Sequence, residues 1–563
     1  MSPRAGCAFL ALAGLLAAVS PAHAAGAPAT EAVWKDGADF TRPRKGVDGQ
    51  PALVAVEASP GVPGIRLVRR AEPLVPLGGE ALLWHGEGKL RFVDLAPAAS
   101  AARTLAAWSV AGQVRSALLD LGGRLPATAA AQLGSPDMAK NNVAVAWSSR
   151  DSRWLVAWAE RRDLGVEIRA QVIDARGKPS GPEIPVARGA SLHNPAVACS
   201  ATSGACLVVW QEAEGREWSI RARRLGGAGP AKDPARNAAK GATAKGAAKG
   251  AAADSPPFTV CGVPGVQYNP AVAWSPEEDT FLVVWDDKRG GTADVFAQAL
   301  DADGRPRGPE RNLTATPARG ELSPAVAWLT AARRFLVTWD DDRGGEIGIW
   351  GRTLGLAGEA GPEIAISTGP RNRLQSRIAA DERNGRWVVA WQDGRNSYNY
   401  WQVRLRPVDA QGVPGEELAV TDRTLAAYNP EIVWDPGAGW FIVAWSHLLG
   451  ERSELLLRAV GGDYVPTGSV AGLRVDGGAI APRWREVQWD GRLPEGTEVL
   501  IRARAAASAE ELGAAPWSAF SPANPLPLDV PRLRWLELEL RLGTGAPAAT
   551  PEIDRLVVRY AAR

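Results

Sequence analysis

Residues 269–314 read NPAVAWSPEEDTFLVVWDDKRGGTADVFAQALDADGRPRGPERNLT. Two apolar runs, at 271–274 and 281–285, flank the polar turn SPEEDT. The turn DDKRGG leads to an alternating run at 294–300, and DADG leads to a short run near 310–314. Runs of this length, separated by Gly, Asp and Pro, are strands joined by turns. The phrase recurs at 323–368 as SPAVAWLTAARRFLVTWDDDRGGEIGIWGRTLGLAGEAGPEIAIST, with weaker copies on either side. Aligned on the last Trp of the phrase, the copies fall on Trp108, Trp158, Trp210, Trp285, Trp339, Trp391 and Trp445. Their intervals are 50, 52, 75, 54, 52 and 54 residues. Four strands in a period of about 50 residues make one propeller blade. The expected fold is therefore all-β, a seven-bladed β-propeller over residues 66–467. A β-solenoid, the alternative, uses shorter repeats.

The repeat also carries a side-chain register. Eleven residues before the repeat Trp stand Trp147, Trp274, Trp328 and Trp434, and four before it stand Trp154, Phe281, Phe335, Trp387 and Phe441. These two positions face each other across a hairpin, where aromatic pairs stabilise by about 0.5–1.5 kcal/mol beyond area burial. In the third copy both positions are cysteine, Cys199 and Cys206. A disulfide at this directly opposed site is expected, with two buried thiols as the alternative. Cys261 is then left without a partner.

Composition bounds the rest. The chain has 563 residues with 46% hydrophobic and 22% charged, which is globular. A net charge of +2 argues against nucleic acid as the main partner. Four His and four Cys leave little for a His/Cys metal centre or a redox protein, so no metal and no cofactor are expected. Arg4, the apolar run 8–19 and the ending Ser20-Pro21-Ala22-His23-Ala24 form a signal peptide over 1–24, cleaved after Ala24. The run is too short for a membrane span, which needs about 20 apolar residues. The expected location is the periplasm, cell surface or medium, and the Ala-, Gly- and Arg-rich usage suits a high-GC bacterium. Residues 226–255, an Ala/Lys/Gly-rich insertion, account for the 75-residue interval and are expected to form a disordered loop. Its lysines could touch a polyanion, but a solvated linker is the simpler reading.

The ends of the chain differ from the repeats. Residues 468–563 contain RWREVQWDGRLPEGTEVLIRARAA and PRLRWLELELRL, which read as strands. This module resembles the jelly-roll-like β-sandwiches appended to exported bacterial proteins, and the resemblance implies a sandwich and, often, carbohydrate binding. The strands of residues 25–65 are expected to pack with it. The phrase AEPLVPLGG near 71–79 is similar to the closing strand of other copies, so the 66–80 segment is expected beside residues 455–460, locking the ring. The repeats resemble uncharacterised propeller repeats of exported bacterial proteins, with the pattern PAVAW…FLVVWDD-R-G. That resemblance implies a fold and no activity.

Strand order places two polar sets on one face. The first surrounds the central opening: Asn141, His193, Asn194, Tyr268, Asn269, Ser323, Gln375, Tyr428 and Asn429. The second lies farther out: Asp286, Asp287, Arg289, Asp340, Asp342, Arg343, Asp393 and Arg395. Carboxylates, guanidinium groups and aromatics together suit a sugar or another polar ligand. The bland alternative is structural, with Asp capping turns and Arg pairing to it in blade after blade. His193 is the one candidate acid or base. No Gly-rich phosphate loop, H-E-x-x-H, nucleophile elbow or sialidase S-x-D-x-G-x-T-W box occurs. The expected function is an exported, non-catalytic binding or scaffold protein whose propeller face and sandwich engage a glycan or protein partner. The alternative is a glycan-active hydrolase or lyase on the same face, which would need two free carboxylates about 5–10 Å apart.

Overall fold

In the computed structural model the described residues are 30–34, 40, 52–54, 56–57, 65–67, 69–77, 79–98, 103–120, 129–162, 165–226, 254–314, 320–343, 345–396, 400–421, 425–465, 467–546 and 549–561. The expected signal peptide over 1–24 and nearly all of the 226–255 insertion lie outside them, as does much of 25–65. The chain forms two compact units, one of residues 70–463 and one that combines the segments before and after it. No helix among the described residues is long and apolar enough to cross a membrane.

The larger unit is an all-β propeller. Among its described residues, seven antiparallel sheets, six of four strands and one of five, succeed one another along the chain. Their first strands are Leu90–Pro97, Lys140–Ser148, Leu192–Cys199, Gln267–Ser275, Glu321–Leu329, Arg373–Asp381 and Ala427–Asp435. Each first strand touches that of the next sheet, and the seventh returns to the first. We number the sheets 1–7 in this order. Sheet 4 is representative: Gln267–Ser275, Thr280–Asp287, Asp294–Leu300 and Arg311–Asn312 pair in sequence. Sheet 7 draws its three chain-consecutive strands from 427–464, and its fourth is Arg69–Pro76, with Ala81–Glu87 also paired to Arg452–Tyr464. Arg69–Pro76 and Ala81–Glu87 thus close the ring from the other end of the repeat array.

The core lies between sheets, because each strand of a stacked sheet has two faces to bury. The seven repeat Trp residues are all fully buried, and each belongs to a separate cluster at one seam. Trp108 packs with Ile442 and Leu455 of sheet 7, which closes the circle of cores. Leu74 of the closing strand packs with Phe441, Val443 and Val460. The hairpin register matches the aromatic spacing: Trp147 faces Trp154, Trp328 faces Phe335 and Trp434 faces Phe441. Their ring centroids lie 4.4, 4.8 and 4.9 Å apart. In sheet 3 Cys199 faces Cys206 at the same place and the two are disulfide-bonded. Cys261 is free and buried.

The smaller unit has two sheets sharing one core. One orders Ala52–Val54, Thr467–Asp476, Trp535–Thr544 and Thr497–Ala506, and the other centres on Glu552–Ala561 paired to Arg483–Arg492. Strand alternation points Val499, Ile501, Ala503 and Ala505 inward against Leu538, Val487 and Leu556. Thr30–Trp34 pairs with Glu552–Ala561, so the two chain ends share a sheet.

Candidate functional site

Two residues of each repeat settle where its polar groups go. In five of the seven repeats the residue two after the repeat Trp points back under the indole and accepts its N–H. Trp158 donates to Glu160 at 3.1 Å, Trp285 to Asp287 at 3.0 Å, Trp339 to Asp341 at 3.3 Å and Trp391 to Asp393 at 2.8 Å. In sheet 7 the acceptor is His447 Nε2, at 3.1 Å. A buried indole N–H requires such a partner. Three of these acceptors also hold the arginine of the turn: Arg289 reaches Asp287 at 2.5 Å, Arg343 reaches Asp341 at 2.5 Å and Arg395 reaches Asp393 at 2.7 Å. The same arginines then bridge to Glu310, Glu363 and Glu417 on the fourth-strand side. Burial would raise the Asp287 and Asp393 carboxyls, but the arginine and indole bonds outweigh it and hold both below the ordinary value.

In four sheets the residue one after the repeat Trp clasps the next sheet. Gln211 accepts the Asn269 backbone N–H at 2.9 Å, Asp286 that of Ser323 at 3.3 Å, Asp340 that of Gln375 at 3.0 Å and Gln392 that of Asn429 at 3.3 Å. Those N–H groups are free because the first strand bulges there. The register of six first strands breaks at Asn142, Asn194, Asn269, Ser323, Gln375 and Asn429, each with φ between 47° and 57°. Asn tolerates this left-handed conformation, and the proline that follows in four copies has no N–H to lose from the ladder. The asparagine amides are chained: Asn142 donates to Asn194, Asn194 to Asn269 at 2.8 Å, and Asn269 to Asp286 at 2.7 Å. Burial raises the carboxyls of Asp286 and Asp340, the latter to about 7, against the amides they accept.

Several placements differ from the sequence reading. Asp342 was expected in the outer set, but the Trp339 and Arg343 bonds go to Asp341, because the position is counted from the repeat Trp rather than from the turn. Likewise Asn142, not Asn141, stands at the bulge and lines the opening. Asp286 and Asp340 are buried and accept the bulge N–H of the next sheet. Tyr268, His193 and Tyr428 sit one residue before the bulge and are half-buried. Lys288 lies 5.3 Å over the Tyr268 ring, and His193 bonds Ser191 at 2.9 Å with Trp218 beside it. Burial lowers the pKa of His193. Cys261 accepts from Arg289 at 3.2 Å, and burial pushes its thiol up to about 11.

Below the bulges a cavity of 370 Å³ touches the first strand of every sheet. Its wall includes one structurally equivalent position, paired in each sheet with the residue before the repeat Trp. Sheets 2–5 place Ala144, Ala196, Ala271 and Ala325 there. Sheets 6, 7 and 1 place Arg377, Glu431 and Asp94. The alanines make room, and the three charged side chains occupy adjacent sheets on the opposite side. Arg377 Nε bonds Glu431 at 3.0 Å, and Asp94 accepts the N–H groups of Leu95 at 2.8 Å and Val145 at 2.7 Å. Burial, then the neighbouring Glu431, pushes Asp94 well above the carboxylate range; burial raises Glu431 too, opposed by Arg377. Sequence reasoning missed all three. The available signal was a charged residue where the repeat has alanine.

Among the described residues no group of three or more His, Cys, Asp or Glu side chains is placed to hold a metal ion. No family model matches the sequence, and no curated protein matches it. Among solved structures the chain is similar to a protein of unknown function from Dyadobacter fermentans, at 9% identity over 69% of this chain and 99% of that one, with a TM-score of 0.41. It is also similar to a Trypanosoma rangeli sialidase in complex with sialic acid, at 9% identity over 77% and 89%, with a TM-score of 0.37. A prolyl endopeptidase aligns at 14% identity over 68% and 53%, with a TM-score of 0.38.

Proposed function

We propose that the protein is an exported binding protein whose central cavity takes a polar ligand, a glycan being the class that fits. The observation carrying this is the broken repeat position: Arg377, Glu431 and Asp94 on one side, four alanines on the other. Sugar hydroxyls donate to carboxylates and accept from a guanidinium, while the C–H faces of a sugar ring suit alanine and valine walls. The outer aspartates Asp287, Asp341 and Asp393 are spent on indoles and arginines, which favours the cavity over the outer face as the place of binding. A second reading, a glycan-active hydrolase, is favoured by the raised Asp94 carboxyl beside Glu431, since a general acid must stay protonated near neutral pH.

A glycan-array screen of the protein lacking residues 1–24 tests the proposal. The expected result is binding to a defined glycan, lost in Arg377→Ala and retained in Asp342→Ala. Absence of any glycan binding, or binding indifferent to Arg377→Ala, would sink it. Hydrolysis of a bound glycan that disappears in Asp94→Asn and Glu431→Gln would select the enzyme instead.

A further inference from the structure

A second, larger cavity of 700 Å³ opens at the seam between sheets 4 and 5, on the outer strands. Its cause lies in the third strands. The residue paired with the position two before the repeat Trp is Arg223 in sheet 3, Arg406 in sheet 6 and Arg458 in sheet 7. Each crosses its seam to the fourth strand of the preceding sheet. Arg223 donates to the Pro185 carbonyl at 2.6 Å, Arg406 to Ile366 at 2.5 Å and Arg458 to Val420 at 2.6 Å. The equivalent residue of sheet 5, Arg352, pairs instead with Glu363 of its own sheet at 3.4 Å. The fourth strand of sheet 4, on the other side of the seam, is Arg311–Asn312. This seam is left open.

The opening is basic above and apolar below. Arg307, Arg311, Arg333 and Arg334 surround it, with Glu278 and Glu359 as its lining carboxylates. Arg307 pairs with Glu278, Arg333 with Glu277 at 2.9 Å across the seam, and Arg334 approaches Glu359 at 3.7 Å. Arg311 donates to the Ala357 carbonyl at 3.3 Å and has no carboxylate within ion-pair distance among the described residues. Leu356, Ala299 and Ala332, each half-buried, form the apolar side above the buried Leu282 and Phe335. A guanidinium without a counterion beside an apolar floor selects an anion attached to an apolar body.

We infer that this seam binds an organic anion, a carboxylate or sulfate carried on an apolar body, with Arg311 as the anchoring group. Calorimetric titration with decanoate tests this, using acetate as the twin without an apolar body and decan-1-ol as the twin without charge. Decanoate is expected to bind once per chain, with both twins at least tenfold weaker. Arg311→Ala and Arg311→Glu should weaken decanoate at least fivefold, while Arg377→Ala in the central cavity leaves it unchanged. Arg311 is exposed, so both variants are expected to fold, which thermal unfolding checks. No decanoate binding, equal binding of decan-1-ol, or indifference to both Arg311 variants would overturn the assignment.

Discussion

At the residue scale, the repeat tryptophan explains most of the acidic pattern around it. A buried indole N–H demands an acceptor, and the strand geometry places the residue two positions on beneath it. The turn arginine's guanidinium shares the oxygen that the indole uses, and its backbone N–H donates to the other oxygen. Trp108 and Trp210 lack this partner, and their Nε1 atoms are buried without one. Asp341→Ala should therefore strand both the Trp339 N–H and Arg343, costing about 2–3 kcal/mol in urea unfolding. Asp342→Ala, one residue on, should stay within about 0.5 kcal/mol. Equal losses in the two variants would refute this assignment. The sequence alone could not choose between these neighbours, since DDDR offers three carboxylates and only the pleat decides which one turns under the ring.

At the element scale, one kind of clasp holds a hairpin together and another joins neighbouring sheets. One is covalent within a hairpin: Cys199 and Cys206, seven residues apart, replace an aromatic pair. On the loop-entropy model a bridge this short stabilises by about 2.5 kcal/mol. The double variant Cys199→Ala/Cys206→Ala should lose that much in urea, and added reductant should bring wild type close to the variant. The other clasp is a side chain accepting the bulge N–H of the next sheet. Asp340 does this while fully buried, and its folded pKa of about 7 lies above its ordinary value of 3.8. The folded state thus holds a proton that the unfolded chain has released. That contribution is fully present below pH 4 and is lost as pH rises through about 7, at about 1.4 kcal/mol per unit between those limits. Asp340→Asn should flatten this part of the stability profile, so the variant gains on wild type between pH 5 and pH 8. A constant difference across that range would contradict the burial argument. Asp287 and Asp393 act oppositely: their lowered pKa values contribute stability at neutral pH that disappears as pH falls.

At the scale of the whole molecule, ring closure does two things. It buries the last seam, where Leu74 from one end of the repeat array packs with Phe441 and Val460 from the other. Leu74→Ala should cost about 2–5 kcal/mol, comparable to truncating a core leucine within any one sheet. A cost under 1 kcal/mol in equilibrium unfolding would mean that the closing strand contributes little. Closure also brings sheet 1 beside sheet 7, so that Asp94 meets Glu431 and Arg377 across one cavity. The repeat ladder itself was legible, because periodic apolar runs, turn residues and the paired aromatic positions are local signals. The charged trio was not, because each member reads as an isolated lapse in a different copy.

The sequence by itself determined the all-β repeat, the hairpin register and the Cys199–Cys206 pairing, since strand alternation and turn chemistry act over a few neighbouring residues. Only the tertiary structure decided which carboxylates remain for a ligand. That depends on which side of a strand each one faces and on which sheets become neighbours, and both are set by the twist and closure of the ring rather than by any stretch of chain.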